Sequence, residues 1–255
     1  LIVINHKVLF EYDCRQQWLH QQTVALQLAM AMRSSLKDLQ RALAGEIGFS
    51  SQLEELSTSL FNGQLPAMWA KLTPATEKQL AAWMLWFQRR YKQYREWAEH
   101  GEPAVMWLSG LHTPETYIAA LVQSASRDKG WSLDKTTLYT KLTKLTDPAQ
   151  VAEKPRHGCY ITGLYLEGAG WDSERGVLAR QEPKVLVTEL PIVQIIPVEA
   201  TKLKSSNVFK APVYVTQARR NAMGAGLVLE ADLASDEHPS HWVLQGVSLS
   251  LNIDT

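Results

Sequence analysis

The sequence predicts an α+β chain: an N-terminal helical part followed by a C-terminal antiparallel sheet curling into an incomplete β-barrel. Three observations carry that expectation. Apolar residues recur at three- and four-residue steps through the first half, the period of one helix face. After His157, short β-branched and aromatic runs bounded by Gly and Pro replace them. Between the two lies a stretch rich in Thr and Lys that reads as a loop, in which Leu138, Leu142 and Leu145 suit one helical turn or a loose strand. The expected division is a helical part over residues 1–131, a polar linker over 132–156 and a barrel part over 157–255.

Leu1 to Ile4 reads as a short strand. It lacks the basic region and small-residue cleavage site of a signal peptide, and the start at Leu rather than Met reads as a piece of a longer polypeptide. Leu28, Met32, Leu36, Leu39 and Leu43 then mark one face of a helix running from near Trp18 to Ala44, with Gly45 suited to its C-terminal cap. Arg33, Lys37 and Arg41 fall on another, wet face. Ser51-Gln-Leu-Glu54 is a capping box opening a second helix, striped by Leu53, Leu56 and Leu60 and stopped by Asn62-Gly63. Pro66 to Trp69 reads as a connector, and Thr76-Glu-Lys-Gln79 as another capping box.

The third helix carries Leu80, Trp83, Phe87, Tyr91, Tyr94 and Trp97 along one side. An aromatic stripe at helical spacing signals packing, since each ring buries a large area. A base-stacking platform would interleave basic residues with the rings, whereas Arg89, Arg90, Lys92 and Arg95 fall mainly opposite. Val105 to Leu108 is a short strand. Thr113-Pro114-Glu115 then starts a helix, with Thr as N-cap, Pro in the first turn and an acid near the positive end. Ile118, Leu121, Val122 and Ala125 form its buried face, and Lys129-Gly130 ends it.

The strand-rich part is organised around H-G-C-Y-I-T-G-L-Y-L-E-G-A-G-W-D, His157 to Asp172. Glycines inside such a run mark bends, bulges or close backbone approach, so Gly163 and Gly168 are expected at a bend. Strands follow at Lys184–Thr188, Ile192–Pro197, Ala211–Thr216, Gly226–Asp232 and Trp242–Asn252. The joining turns are mainly short, and crossover helices for a parallel sheet are absent from the pattern, which is why an antiparallel barrel is expected.

Composition excludes several function classes. Lys+Arg and Asp+Glu both number 26, and no block of like charge would draw the protein to nucleic acid. Two cysteines, Cys14 and Cys159, are too few for a disulfide framework and fit a reducing compartment. No apolar run reaches the roughly 18 residues of a membrane span. The glycine run fails as a phosphate loop, because Gly163-x-x-x-x-Gly168 is followed by Ala169 and Gly170 rather than Lys and Ser or Thr. It fails as a dinucleotide fingerprint too, since Ser173 stands where the third glycine should be and no helix follows. His157-x-Cys159 lacks a second ligand pair for zinc, and His238 and His241 flank Pro239 in what reads as a surface turn. Ser109-Gly110 lacks a nucleophile elbow. Glu167 and Asp172 suit hydrogen bonding of a turn better than paired catalysis. No catalytic, cofactor-binding or metal-binding residue is expected.

One resemblance is specific. Gly158, Tyr160, Gly163, Leu164, Leu166, Glu167, Gly168, Ala169, Trp171 and Asp172 fit the G-x-Y-[IV]-x-G-L-x-L-E-G-A-x-W-D stretch in the C-terminal domain of dynein heavy chains. Ser34 to Leu39, Pro66 to Trp69, Trp107-Leu-Ser-Gly110, Pro183 to Leu186, Leu190-Pro191, Pro212 to Tyr214 and His241 to Val243 extend the match from about Ser34 to Asn252. The run from Arg219 to Gly224, with Glu230 to Leu233, looks most like axonemal dyneins, of a two-headed inner-arm type. The resemblance implies a non-catalytic domain that follows the sixth AAA module, lies across the AAA ring and influences motor output. ATP hydrolysis and microtubule binding belong to other parts of such a polypeptide. It implies AAA modules of the same heavy chain as partners, intermediate and light chains and microtubules through the parent complex, and a place in the cytoplasm, the cytoskeleton and the axoneme of a cilium or flagellum. Gly158, Tyr160, Gly163, Glu167, Gly168, Trp171 and Asp172 are then a structural motif. Nine tryptophans are many for this length, and Trp83, Trp97 and Trp107 are candidates to lie at or support a face that meets the ring. The alternative is a barrel that binds a small molecule or carbohydrate at its mouth, which calls for a deep pocket near Glu167 or Asp172.

Overall fold

A computed structural model of the protein describes residues 6–73, 76, 78–202, 208–216 and 226–252. The strand expected at residues 1–4 and the run 219–224 lie outside the described residues. Helices and sheets together make an α+β fold, and the contacts separate a helical unit, Trp18–Glu99, from a second unit that takes in the sequence from His100 onward. The change from helix-rich to strand-rich sequence near residues 132–156 does not coincide with that separation, because one helix and one strand before it belong with the sheets.

The first helix, α1, spans His6–Leu43, well beyond the expected start near Trp18. Its buried positions in the helical unit are Ala25, Leu28, Met32, Ser35, Leu39 and Ala42, one face at steps of three and four. The expected face is thus rotated slightly, and Leu36 and Leu43 are 42% and 69% exposed. Ser35 explains the phase: its hydroxyl accepts from Trp69 Nε1 at 3.1 Å and donates to the Met32 carbonyl at 3.1 Å, so a polar residue is satisfied inside the core. Helix α2, Ser51–Phe61, is capped one residue earlier than expected, by the Ser50 side chain, which accepts from the Leu53 N–H, and ends as expected at Asn62, with Gly63 at φ +68°. The expected connector contains a single helical turn, α3, Ala67–Ala70, which buries Trp69.

Helix α4, Leu80–His100, starts after the expected capping box. Thr76 Oγ1 instead accepts from the Lys78 N–H, a local turn, and the Leu80 N–H donates to the Gly63 carbonyl at 2.9 Å. Trp69, Trp83, Phe87 and Tyr91 stack in succession, with centroids 6.3, 5.4 and 6.4 Å apart. Tyr91 is exposed, and the buried residue of that turn is Arg90 rather than an aromatic. The Arg90 guanidinium lies 3.8 Å from the Trp86 ring centroid, a cation–π stack. Burial lowers its pKa to about 10, against a smaller opposing effect of Tyr94.

In the second unit, β1 (Val105–Trp107) leads through a turn at Leu108–Gly110 into α5, Pro114–Lys129. Pro114 stands in its first turn and Gly130 closes it in the left-handed conformation, as the sequence predicts. The expected linker holds β2, Thr136–Leu142, paired antiparallel along its whole length with the strand Val193–Glu199. Its threonines are good strand formers on a half-buried surface, which a search for apolar alternation overlooks. The bent pair β3 (Cys159–Thr162) and β4 (Tyr165–Glu167) comes next, followed by β5 (Gly170–Asp172), β6 (Val177–Ala179), β7 (Val187–Glu189) and β8 (Val193–Glu199). The rest comprises β9 (Val208–Thr216), β10 (Leu227–Ala234), α6 (Pro239–Leu244) and β11 (Ser248–Asn252). Trp242, read as strand, is therefore helical and fully packed, its Nε1 donating to Ser235 Oγ at 2.6 Å.

The sheets run β1-β3-β8-β2, β10-β9-β11-β4-β7 and β5-β6. The two larger sheets are mixed rather than purely antiparallel, and β5-β6 is an antiparallel pair. β1 pairs parallel with β3 and β11 parallel with β9. The first parallel pair encloses α5 and β2, and the second encloses β10 and α6. Long returns of this kind are what parallel pairing requires.

Candidate functional site: the glycine-bent strands

Each glycine of the organising stretch answers a steric demand. Gly158, Gly163 and Gly168 take φ of +83°, +82° and +77°, a region costly for any residue with a Cβ. At Gly158 a Cβ would fall 1.9 Å from the Ile195 carbonyl oxygen. At Gly163 it would meet the Trp107 ring at 2.7 Å and Ser109 Oγ at 2.8 Å. Gly163 turns the backbone from β3 in the four-stranded sheet to β4 in the five-stranded one, and Gly168 turns β4 toward β5. The expected bends are therefore present. Gly170 has ordinary φ, yet a Cβ there would lie 2.8 Å from the Arg180 carbonyl oxygen across the β5–β6 hairpin.

Ser109, which the sequence offered as part of W-L-S-G and without a nucleophile elbow, sits at this junction. It is buried, and its hydroxyl lies 3.0 Å from the Gly163 carbonyl and 2.5 Å from the Leu251 carbonyl. It thus ties the bend to β11. The remaining motif residues are placed by pairing. Tyr160 stands opposite Val105 and Gln194, Glu167 opposite Ser248 and Val187, and Trp171 opposite Leu178. The Asp172 carboxylate accepts from the Glu174 and Arg175 N–H groups at 3.0 Å each, folding the turn that ends at Gly176. Glu167 and Asp172 belong to different sheets, and Asp172 is engaged in its own turn.

Two polar groupings flank the stretch. The buried Tyr117 hydroxyl donates to Glu102 Oε1 at 2.5 Å, and Lys154 Nζ pairs with Glu102 Oε2. Burial, then the neighbouring Cys159 and Glu102, raises the Tyr117 pKa well above its ordinary value. His157 Nδ1 lies 3.3 Å from Asp128 Oδ2. Partial burial lowers the His157 pKa, as do Lys129 and Arg156, while Asp128 opposes the shift. His238 caps α6 by accepting from the Ser240 N–H, as a turn residue would. Among the described residues no group of three or more His, Cys, Asp or Glu side chains could hold a metal ion. A shallow cleft in the helical unit is lined by Gln52, Glu55, Leu56, Pro66, Ala67, Met68 and Lys71, and neither Glu167 nor Asp172 lines it.

Trp83, Trp97 and Trp107 are all buried, at 0%, 7% and 5% exposure. The apolar side chains the helical unit does present include Leu26 and Met30, four apart on α1 and away from its buried positions, with Leu85 on α4 and Phe61 at the end of α2. Sequence reading missed them because isolated apolar residues outside a stripe carry no periodic signal.

A helical unit joined in sequence to mixed sheets bent at glycines defines an α+β domain. The chain belongs to the family defined by the C-terminal domain of the dynein heavy chain, whose model matches residues 18–251. It is 74% identical over 223 residues, 88% of its length, to the dynein-1-alpha heavy chain of the flagellar inner arm I1 complex of Chlamydomonas reinhardtii. It is 55% identical over 227 residues, 89% of its length, to dynein axonemal heavy chain 10 of Homo sapiens. Against the dynein beta chain of the flagellar outer arm of Chlamydomonas reinhardtii, identity is 35% over 227 residues. The aligned part makes up 5% of each of these three relatives.

Proposed function

We propose that this protein is the non-catalytic C-terminal domain of an axonemal, inner-arm dynein heavy chain. In that reading it braces the AAA ring of its own polypeptide and modulates ATP-driven, minus-end-directed movement on microtubules within a cilium or flagellum. The family match over residues 18–251 carries the reading, and 74% identity to an inner-arm dynein supports the subtype. The site geometry agrees, because the motif residues are committed to bends, ladders and turns. We further infer that the four- and five-stranded sheets together make an incomplete barrel. The Gly163 bend supports this on one side, and hydrogen bonds between β2 and β10 support it on the other.

Exposed apolar side chains such as Leu26, Met30 and Leu85 are the proposed contacts with the ring, with Trp83, Trp97 and Trp107 as buried support beneath contact surfaces. A brace of this kind acts by favouring one arrangement of neighbouring modules over another, and its influence is limited to its differential contact with each. Calorimetric titration of the protein with Mg-ATP tests the division of labour. No stoichiometric binding in the micromolar range is expected, and such binding would overturn the non-catalytic reading.

A further inference from the structure

The two larger sheets meet along two lines, and the lines are built differently. On one, the backbone runs from β3 through Gly163 into β4, and Ser109 ties the bend to β11. On the other, the edge strand β2 of the four-stranded sheet lies beside the edge strand β10 of the five-stranded sheet. Among the described residues no strand ladder joins β2 to β10. A reciprocal pair of side-chain bonds links them instead: the Thr140 N–H donates to Asp232 Oδ2 at 3.0 Å, and the Asp232 N–H donates to Thr140 Oγ1. Each residue thus satisfies an edge N–H that its own ladder leaves pointing outward.

Burial shows how specific the pairing is. Leu229, Ala231 and Leu233 are the buried alternation of β10, and Asp232 falls on the other side with exposed Glu230. Asp232 is nevertheless only 8% exposed, and Thr140 only 1%. Helix α5 lies against β10, β2 and β8. A carboxylate removed from water is retained only where it is hydrogen-bonded, so Asp232 holds its place through this link.

We propose that β2 and β10 form a latched seam: a line on which the two sheets part as one conformational step, hinged at Gly163 and held by Asp232 and Thr140, before any ladder breaks. Ladders lose many bonds together, whereas the seam, among the described residues, is held by this side-chain pair and by the packing of α5 across it rather than by a ladder, which makes it the line of lowest local stability between the sheets. The proposal concerns the domain itself and is independent of what it braces.

Amide hydrogen exchange on the whole protein, resolved by residue and repeated at rising sub-denaturing urea, tests it. The Thr140 and Asp232 amides are expected to exchange faster than amides inside the β3–β8 and β9–β11 ladders, with a weaker urea dependence. Asp232→Ala, which removes the carboxylate acceptor of the Thr140 N–H, and Thr140→Val, which leaves the buried Asp232 N–H without its acceptor, should each speed exchange at the seam by about tenfold to a hundredfold. Ladder amides should stay near their original rates, and Thr140→Ser should restore protection. Exchange of both seam amides at the ladder rate with the same urea dependence would overturn the proposal. So would variants that accelerate every amide equally. The wild-type measurement alone decides the matter if a variant does not fold.

Discussion

Replacing Gly163 with Ala isolates the physics of the bend. The residue stands at φ +82°, and the added Cβ would lie 2.7 Å from the Trp107 ring and 2.8 Å from Ser109 Oγ. Holding an L-residue in the left-handed region costs roughly 1–2 kcal/mol. Displacing two packed neighbours adds the usual cost of overpacking, about 1–3 kcal/mol. Neither neighbour gives way easily, because Trp107 is buried and Ser109 binds the carbonyls of Gly163 and Leu251. The expected loss is thus roughly 2–5 kcal/mol, a large share of ordinary domain stability. Gly176→Ala is the matched control, since Gly176 has φ +70° with nothing within 4 Å of its would-be Cβ. That variant should lose only the backbone share. Urea unfolding followed by near-ultraviolet circular dichroism reads both, and Gly163→Ala should lower the midpoint of the strand-rich unit by about 1 M or more, taking the usual urea slope of roughly 1–3 kcal/mol per molar. Equal losses in the two variants would refute the close-approach argument.

Further outcomes follow from other sites. Ser35→Ala should cost about 1–3 kcal/mol in chemical denaturation, the penalty for leaving the buried Trp69 N–H without its acceptor, while Leu36→Ser should change little. Tyr117→Phe removes the hydroxyl that donates to Glu102 and should destabilise by about 1.5–3 kcal/mol, the range for a hydrogen bond to a charged group, measured the same way. His157 has a folded pKa below its ordinary value of 6.5, so the unfolded state binds more protons as pH falls through that window. Its stabilising contribution is complete above 6.5 and is lost on acidification through the lowered folded value. Melting curves across that range should show a smaller pH dependence for His157→Gln than for the natural protein.

The boundaries of α2 and α5 were the most legible part of the sequence, because turn and cap residues act locally, whereas the starts of α1 and α4 were not. Ser51 to Glu54 and Asn62-Gly63 delimit α2 to within a residue, although Ser50 is the cap, and Pro114 and Gly130 delimit α5, although the Thr113 side chain makes no cap bond. Faces were less legible wherever a polar residue replaced an apolar one in the core. Ser35 pairs with Trp69, and Arg90 stacks on Trp86, so α1 and α4 turn slightly from their most apolar stripes. The bend of the organising strand could be read because glycine is needed at positive φ. The reason for Gly163 could not, since Trp107 and Ser109 are distant in sequence. Parallel pairing of β1 with β3 and of β9 with β11 was hidden for the same cause, being set by long returns of the backbone. Trp242 read as strand because a lone aromatic beside Val and Leu suits either state, and Pro239 at the first turn was the missed helix signal.

The most direct test of the central claim uses the parent heavy chain, with or without residues 18–252. ATP turnover and microtubule-gliding velocity would be measured on the same preparation. A brace without chemistry of its own predicts that ATP hydrolysis survives the deletion while its coupling to movement changes, seen as an altered ratio of velocity to turnover. An unchanged ratio, with both quantities intact, would contradict the account.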